Sequence, residues 1–565
     1  MAGSLPSIRV IANGEIYNYR ELRAELEDVG HRFRTRSDIE VVAQAYERWG
    51  LTFLDHLEGM FALALWDDRS RRLLLARDRM GQKPLYYTVA GGLLIFASEL
   101  TAVIRHPAVS TRLDMRSLSA YLALEYVPAP WSMISDVAKL EPASYLLLEG
   151  GESRIGKYWS LDFESRSTLR YPEAVQELRE RLDASVRLRL VSDVPLGVFL
   201  SGGLDSSSVA ALAAASGTID TFSVGFRDSS FDESRFAREV AQRIGSRHHE
   251  MVLEGEEMPD LVPEMADVLD EPLGDASIVP TTLLSRFARG SVTVALGGDG
   301  GDELFAGYPM HQGHRVARLV RRIPPAVFGA IAAGAQRLPV SHRNFSLGFK
   351  ITTFLRGASL SPPYNHAAWM SSFLPEEQSR LLTVEAWEAA EQGRYALDQF
   401  EAAWRASEGA QEGGRIRYLD AAGYLPGDVL TKVDRASMSV GLEVRAPFLD
   451  RGVVELAFSL PDEYHMRGLT GKRLLRDAMA DALPTRVLRR PKKGFGIPVG
   501  RWLNGPLKEL AWDLLGDEAL RRAGLFRHQE VHRRLKEHHD GIRDHRKPLW
   551  TLLMFELWRR AAGIS

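Results

Sequence analysis

Residues 200–207 read Leu200-Ser201-Gly202-Gly203-Leu204-Asp205-Ser206-Ser207. Two adjacent glycines let the backbone turn tightly, so successive N–H groups can converge on an anion. Ser201, Ser206 and Ser207 add hydroxyl donors, and a helix starting just beyond adds the partial positive charge of its N-terminus. Asp205 is out of place in a bare anion site; it makes sense where Mg2+ lies between it and phosphate oxygens. A Walker loop is excluded, because Gly471-Lys472 is followed by Arg473 rather than Ser or Thr. A second run, Gly297-Gly298-Asp299-Gly300-Gly301-Asp302-Glu303, sets carboxylates on flexible backbone, as a site for a metal-nucleotide and an acyl group requires. Solvated Asp-Gly turns would share those letters; the pairing with the first loop favours the site. A third run, Lys432-Val433-Asp434-Arg435 onward to Asp450, taken alone reads as a salt-bridged helix surface.

These loops need strands before them and helices after them. Val194–Leu200, Asp220–Phe226 and Val292–Leu296 are short apolar strands; Glu173–Leu190, Ser207–Ala215 and Ser234–Ile244 have helical spacing. That alternation predicts a parallel sheet, with mostly helix from there to Ser565. Ahead of Phe163 the pattern is closely spaced strands, Ile8–Ala12, Met60–Trp66, Arg72–Ala76, Leu85–Thr88 and Leu93–Ala97, predicting antiparallel sheet. A turn is expected at Asn13-Gly14-Glu15 and a helix over Tyr19–Val29. The polar stretch Glu164–Thr168 marks the seam, giving domains 1–165 and 172–565.

The 565 residues carry 71 Lys and Arg against 74 Asp and Glu, a net charge of −3. Such a balance leaves no footprint for nucleic acid or an anionic membrane, so neither is expected as a partner. The longest apolar run, Ile323–Ala335, is short for a membrane span and holds two prolines. The opening residues lack a signal-peptide pattern, so a cytoplasmic location is expected. There is no cysteine, which removes disulfides, thiolate metal sites and every thiol nucleophile. The C-terminal histidines 528–545 lack a zinc pattern and read as a solvated helix, and Arg489–Lys493 reads as a surface run or a phosphate contact.

The loop SGGLDSS resembles the pyrophosphate loop of ATP pyrophosphatases, which cleave ATP between the α- and β-phosphates. With GDGGDELFAGY, KVDRASMSVGLEVRAPFLD and KKGFGIPVGRWL, and with NGEIYNY, SDIEVV and RDRMGQKPLYY earlier, the chain resembles the glutamine-dependent asparagine synthetase family over nearly its whole length. The resemblance implies a mixed α+β and α/β fold. Its first part is an incomplete αββα domain of the N-terminal-nucleophile glutaminase type. Its second is an adenine-nucleotide hydrolase-like parallel-sheet domain with a helical C-terminal part. It implies that an aspartate carboxylate attacks the α-phosphate of ATP, giving an acyl-adenylate that ammonia converts to the amide. Carried over, Ser201–Ser207, with Gly202, Gly203 and Ser206 among them, hold pyrophosphate, and Asp205 and Asp302 hold Mg2+. Leu200, Val224, Gly297 and Gly298 bound the adenosine. Asp299 stands where many members have Glu and serves acyl-adenylate formation; Lys472 stabilises charge during amide formation. A homodimer is compatible with the family pattern. The same chemistry on another carboxylate is the competing enzyme reading, and an ATP-binding remnant without turnover the competing reading of another class.

The family's glutaminase uses an N-terminal cysteine whose own α-amine is the base. Here Ala2 follows Met1, and Ser4 is not terminal. Asn13, Gly14, Glu15 and Asp38 keep the glutamine-binding context without a nucleophile. No glutaminase activity is therefore expected of this chain. Either the gene starts upstream at Met-Cys-Gly, the favoured reading, or the protein takes free ammonium or another amine. Loss of opening strands would also leave the first 160 residues less stable than the rest.

Overall fold

The structure, a computed structural model, describes residues 7–335, 340–341, 346–492, 494 and 496–564. Ala2, Ser4, Lys493 and Phe495 lie outside the described residues.

Chain order runs β1 (Ile8–Ile16), β2 (Gly59–Asp67), β3 (Arg72–Arg77), β4 (Tyr86–Ala90), β5 (Leu93–Ala97), β6 (Ala138–Lys139), β7 (Ser144–Glu149) and β8 (Glu152–Lys157). β1-β2-β3-β7-β8 form one antiparallel sheet and β5-β4-β6 a second. Alternation decides the register: Ile8 and Val10 of β1 face the core, and Ile11 points to solvent. The helices Tyr19–Asp28 and Glu40–Trp49 cover that core through Leu22, Leu26, Val41 and Val42.

The turn expected at Asn13-Gly14-Glu15 is not there. β1 continues straight through it and pairs with β2 to the end, Gly14 opposite Phe61. Gly14 takes φ +140° and lies so close to β2 that a Cβ would run into the Met60 carbonyl. The glycine serves a close approach of strands rather than a reversal of the chain.

The second half holds β9 (Leu196–Phe199), β10 (Asp220–Phe226), β11 (Arg247–Leu253), β12 (Val294–Leu296) and β13 (Glu443–Arg445) in one parallel sheet, ordered β11-β10-β9-β12-β13. Sequence order therefore reverses direction at β9, with β10 on one side and β12 on the other. The carboxyl ends of β9 and β12 flank the crevice where open α/β sheets bind ligands. The helix after β9 begins at Leu204, three residues earlier than its small-residue pattern suggested. Asp205, Ser206 and Ser207 thus belong to its first turn rather than to the loop.

Residues 158–170 form no helix or strand, yet Trp159, Leu161 and Phe163 pack on the parallel-sheet core. The C-terminal helices bury Trp502, Trp550 and Trp558. They also bury His538 completely, so the histidine-rich segment is not one solvated face as expected. Its helix, His528–His539, turns Val531, Leu535 and His538 inward together at helical spacing.

Candidate functional site

The two glycine loops meet at the carboxyl ends of β9 and β12. Gly202 adopts φ +70°, and a Cβ there would strike the backbone at Phe236–Ala237 of the next helix, Ser234–Ile244. Only glycine lets the loop lie that close. Ser201 N donates to Ser206 Oγ at 3.2 Å, and Gly203 N donates to Ser201 Oγ at 3.3 Å. Ser201 and Ser206 hydroxyls are 3.0 Å apart, which draws the loop into a ring of donors. Ser207 is buried, and its Oγ has no hydrogen-bond partner. From the other loop, a Cβ at Gly298 would press on Ser206 N, and one at Gly301 on the Asp205 carboxyl. The glycines of the second loop thus make room for the first turn of the helix Leu204–Ala214.

At this junction lies a chain of alternating charge. Lys472 Nζ is 2.5 Å from Asp205 Oδ2 and 2.5 Å from Asp302 Oδ1. Lys492 pairs with the other oxygen of Asp302. Burial alone would raise both carboxyls. It leaves Asp205 above the usual carboxylate range, whereas Lys472 and Lys492 together pull Asp302 down to about 2. Asp205 Oδ1 is buried and has no hydrogen-bond partner among the described residues.

Lys472 is far from an ordinary surface lysine. It is 3% exposed, sits in the left-handed region at φ +55°, and its N–H donates to Phe305 O at 2.8 Å. A non-glycine residue held there is strained, and the contacts on either side maintain it. Lys492 lies in the basic run 489–493, which as sequence reads equally well as surface or as a phosphate contact. Its ammonium also sits 6.0 Å over the ring of Tyr308. Arg490, from the same run, donates to Gly202 O at 3.1 Å, pairs with Glu233 and lies over Phe236. It closes the open side of the serine-glycine loop.

Asp299 folds its carboxylate back toward Gly297, and burial raises it while Lys432 opposes. Lys432 is not on a fully solvated helix face: it is half-buried and pairs with the half-buried Asp275, 2.5 Å away. Glu303, unassigned from sequence, is buried and raised to about 8 by that burial and by Asp302; Tyr308 donates to it at 2.5 Å. Leu200 is buried and continues the β9–β10 pairing through its N–H to Phe222 O. Val224 and Ser201 line a cavity of about 10 Å3, too small for an adenine ring, and neither Gly297 nor Gly298 borders it.

The remaining candidates gather in the first half. Asn13, Gly14, Glu15 and Asp38 line one cavity of about 400 Å3, which Arg445 of β13 closes from the other half. Ile16 N donates to Asp38 Oδ2 at 2.9 Å, and Arg445 lies 3.6 Å from Glu15. Burial, and Asp38 beside it, raise Glu15 to about 7 against the pull of Arg445. The folded state therefore holds a proton that the unfolded chain has released from about pH 4.5 upward, and stability falls as pH rises through that window. Glu15→Gln is expected to raise the thermal midpoint by about 2–4 °C above pH 7 and to leave it unchanged below pH 4.5. Thermal melts at the two ends of the window check this.

The asparagine synthase family matches residues 177–560 and the glutamine amidotransferase domain residues 1–159. An asparagine synthetase (glutamine-hydrolyzing) of Bacillus subtilis is 32% identical across 97% of this chain and 85% of its own length. A putative asparagine synthetase of Mycobacterium bovis is 34% identical across 97% of this chain and 84% of its own. An amidase of Penicillium rubens is 28% identical across 92% and 81%. With both halves matched and the motif residues converging as described, the chain belongs to the glutamine-hydrolysing asparagine synthetase family of carbon–nitrogen ligases.

Proposed function

We propose that this protein activates the side-chain carboxylate of aspartate with ATP and converts the acyl-adenylate to asparagine, with free ammonia as the nitrogen source for these 565 residues. The observation that carries the reading is the convergence of Asp205, Lys472, Asp302 and Lys492 on the serine-glycine loop at the sheet's switch point. The aspartate oxygen attacks the α-phosphorus and pyrophosphate leaves into the loop. Ammonia then attacks the acyl carbon, a proton leaves the nitrogen, and AMP departs with the C–O electron pair. Lys472, pinned between two carboxylates, is a fixed cation beside the loop, placed for the charge that develops during amide formation. Lys492, paired with Asp302 and with a side chain 29% exposed, adds a second cation to that charge-stabilising group. Asp299 stands by for adenylate formation.

Asp205 and Asp302 are the residues that would hold Mg2+, which when bound neutralises phosphate charge. Two carboxylates with substrate phosphates suit that ion, and the unpartnered Asp205 Oδ1 offers it a ligand atom. The domain division proposed is 1–165 and 172–565. These 565 residues contain no cysteine, and the ammonia reading is confined to them.

Pyrophosphate release and asparagine formation, measured with ammonium and then with glutamine, test the reading. Ammonium is expected to support synthesis and glutamine to fall at least about 100-fold short, since a missing nucleophile costs several orders of magnitude. Equal rates would overturn the nitrogen assignment; no pyrophosphate release with any acid would overturn the ligase reading. The shorter Asp299 and the similarity to the fungal amidase support trying other carboxylates beside aspartate. Turnover confined to one of those would replace the acceptor and keep the chemistry.

A further inference from the structure

Between Glu303 and Glu376 the chain carries eight Lys and Arg residues and no Asp or Glu. The whole-chain balance of −3 conceals this run. It includes the helices Pro309–Val320, Pro325–Ala335 and Leu347–Gly357. The first is moored by its inner face: His311 Nε2 lies 2.9 Å from Asp420 Oδ2, and His314 Nε2 lies 3.0 Å from His366 Nδ1. Its outer face therefore has a fixed direction. There Val316 and Leu319, one turn apart, are 37% and 64% exposed. Glu412 and Glu377 neutralise Arg318 and Arg356. Arg315 and Arg321 instead donate to the main-chain carbonyls of Gly468 and Leu360 and pair with no carboxylate among the described residues, and Arg322 is exposed.

The second helix, PAVFGAIAAGA, has no charged or hydrogen-bonding side chain along its whole length. Surface helices are normally polar on their outer face. Here Val327 and Ile331 are 50% and 46% exposed, and a Cβ at Gly329 or Gly334 would meet nothing. It packs on the helix Leu347–Gly357, whose first residue, Leu347, is also exposed.

Exposed apolar residues on two consecutive helices, joined by a turn that carries Arg321 and Arg322, have one well-matched cover. A second copy would bring like-charged arginines together. Eleven residues at about 1.5 Å each fall well short of the ~30 Å hydrocarbon core, and no described helix is long and apolar enough to cross a membrane. A helix of this kind lies in the plane of a lipid surface, its apolar residues at the acyl boundary and guanidinium groups on the lipid phosphates. We propose that the helices Pro309–Val320 and Pro325–Ala335 dock this protein peripherally on an anionic lipid bilayer. The averaged charge, from which no membrane partner is expected, hides this local concentration of it.

The test is cosedimentation of the full chain with vesicles of phosphatidylcholine alone and of phosphatidylcholine with a one-third share of phosphatidylglycerol. Binding to the anionic vesicles is expected to be at least ~10-fold tighter and to weaken as salt is raised. Ile331→Glu, and independently Leu319→Glu, are expected to lose ~10-fold or more of it while pyrophosphate release stays at the parent rate, which shows that the variants fold. Equal binding to both vesicle types, or none to the anionic ones, overturns the proposal. So does a dimer in lipid-free solution that Ile331→Glu dissociates, because a second copy would then cover the face.

Discussion

Asp205→Asn is expected to cut ATP-dependent pyrophosphate release by at least about 10²–10³-fold, the loss seen when one preorganised charge is removed from a reacting centre. The substitution keeps the side chain's size and place in the first turn of the helix Leu204–Ala214. It removes the charge that Lys472 meets at 2.5 Å and the buried Oδ1 with no partner, the atom placed to hold a metal. The fold should survive, because Lys472 retains Asp302. A rate assay with a thermal melt of the same protein separates the two effects. A release rate within a few-fold of the parent would place the triphosphate somewhere other than this loop.

Lys472→Met should act in the opposite way, on stability first. It leaves Asp205 and Asp302 facing each other with Lys492 alone, and breaking a buried ion pair from one side costs about 3–5 kcal/mol. Two carboxylates confined together cannot both ionise cheaply, so one is driven to keep its proton. A carboxyl raised above its unfolded value withdraws stability as pH rises. The deficit of the variant should therefore grow from acid to neutral pH. Urea midpoints taken across that range check the slope, and a deficit independent of pH would show that the two carboxylates are not coupled through Lys472.

Much of this site is visible in the order of the letters, because strand, glycine loop and helix are local patterns. Val194–Leu200 announces β9, and Ser201–Gly203 announces its turn. The letters put the helix start late because Asp205 and Ser206, disfavoured in helix interiors, are suited to a first turn, where free N–H groups welcome them. Gly14 was read as a reversal because glycine permits both a turn and a close strand approach, and only the partner strand decides. Lys492 reads as surface or phosphate contact but not as a partner of Asp302, for another reason. Its partner Asp302 is 190 residues away, and no periodicity links a basic run to a carboxylate that distance off. Lys432 shows the same limit: a charge on a helix looks solvated until the element covering it, which carries Asp275, is known.

The strand order of the parallel sheet bears on synthesis as well as on binding. β9 and β12 become neighbours across almost a hundred residues, and β13 joins β12 only after about 150 more. Parallel pairings of that span close slowly, since their loops must be ordered before any contact rewards them. Lys472 and Lys492 leave the ribosome later still. A nascent chain thus carries its serine-glycine loop long before the cations that complete it, and nucleotide can steady the finished protein but not the half-made one.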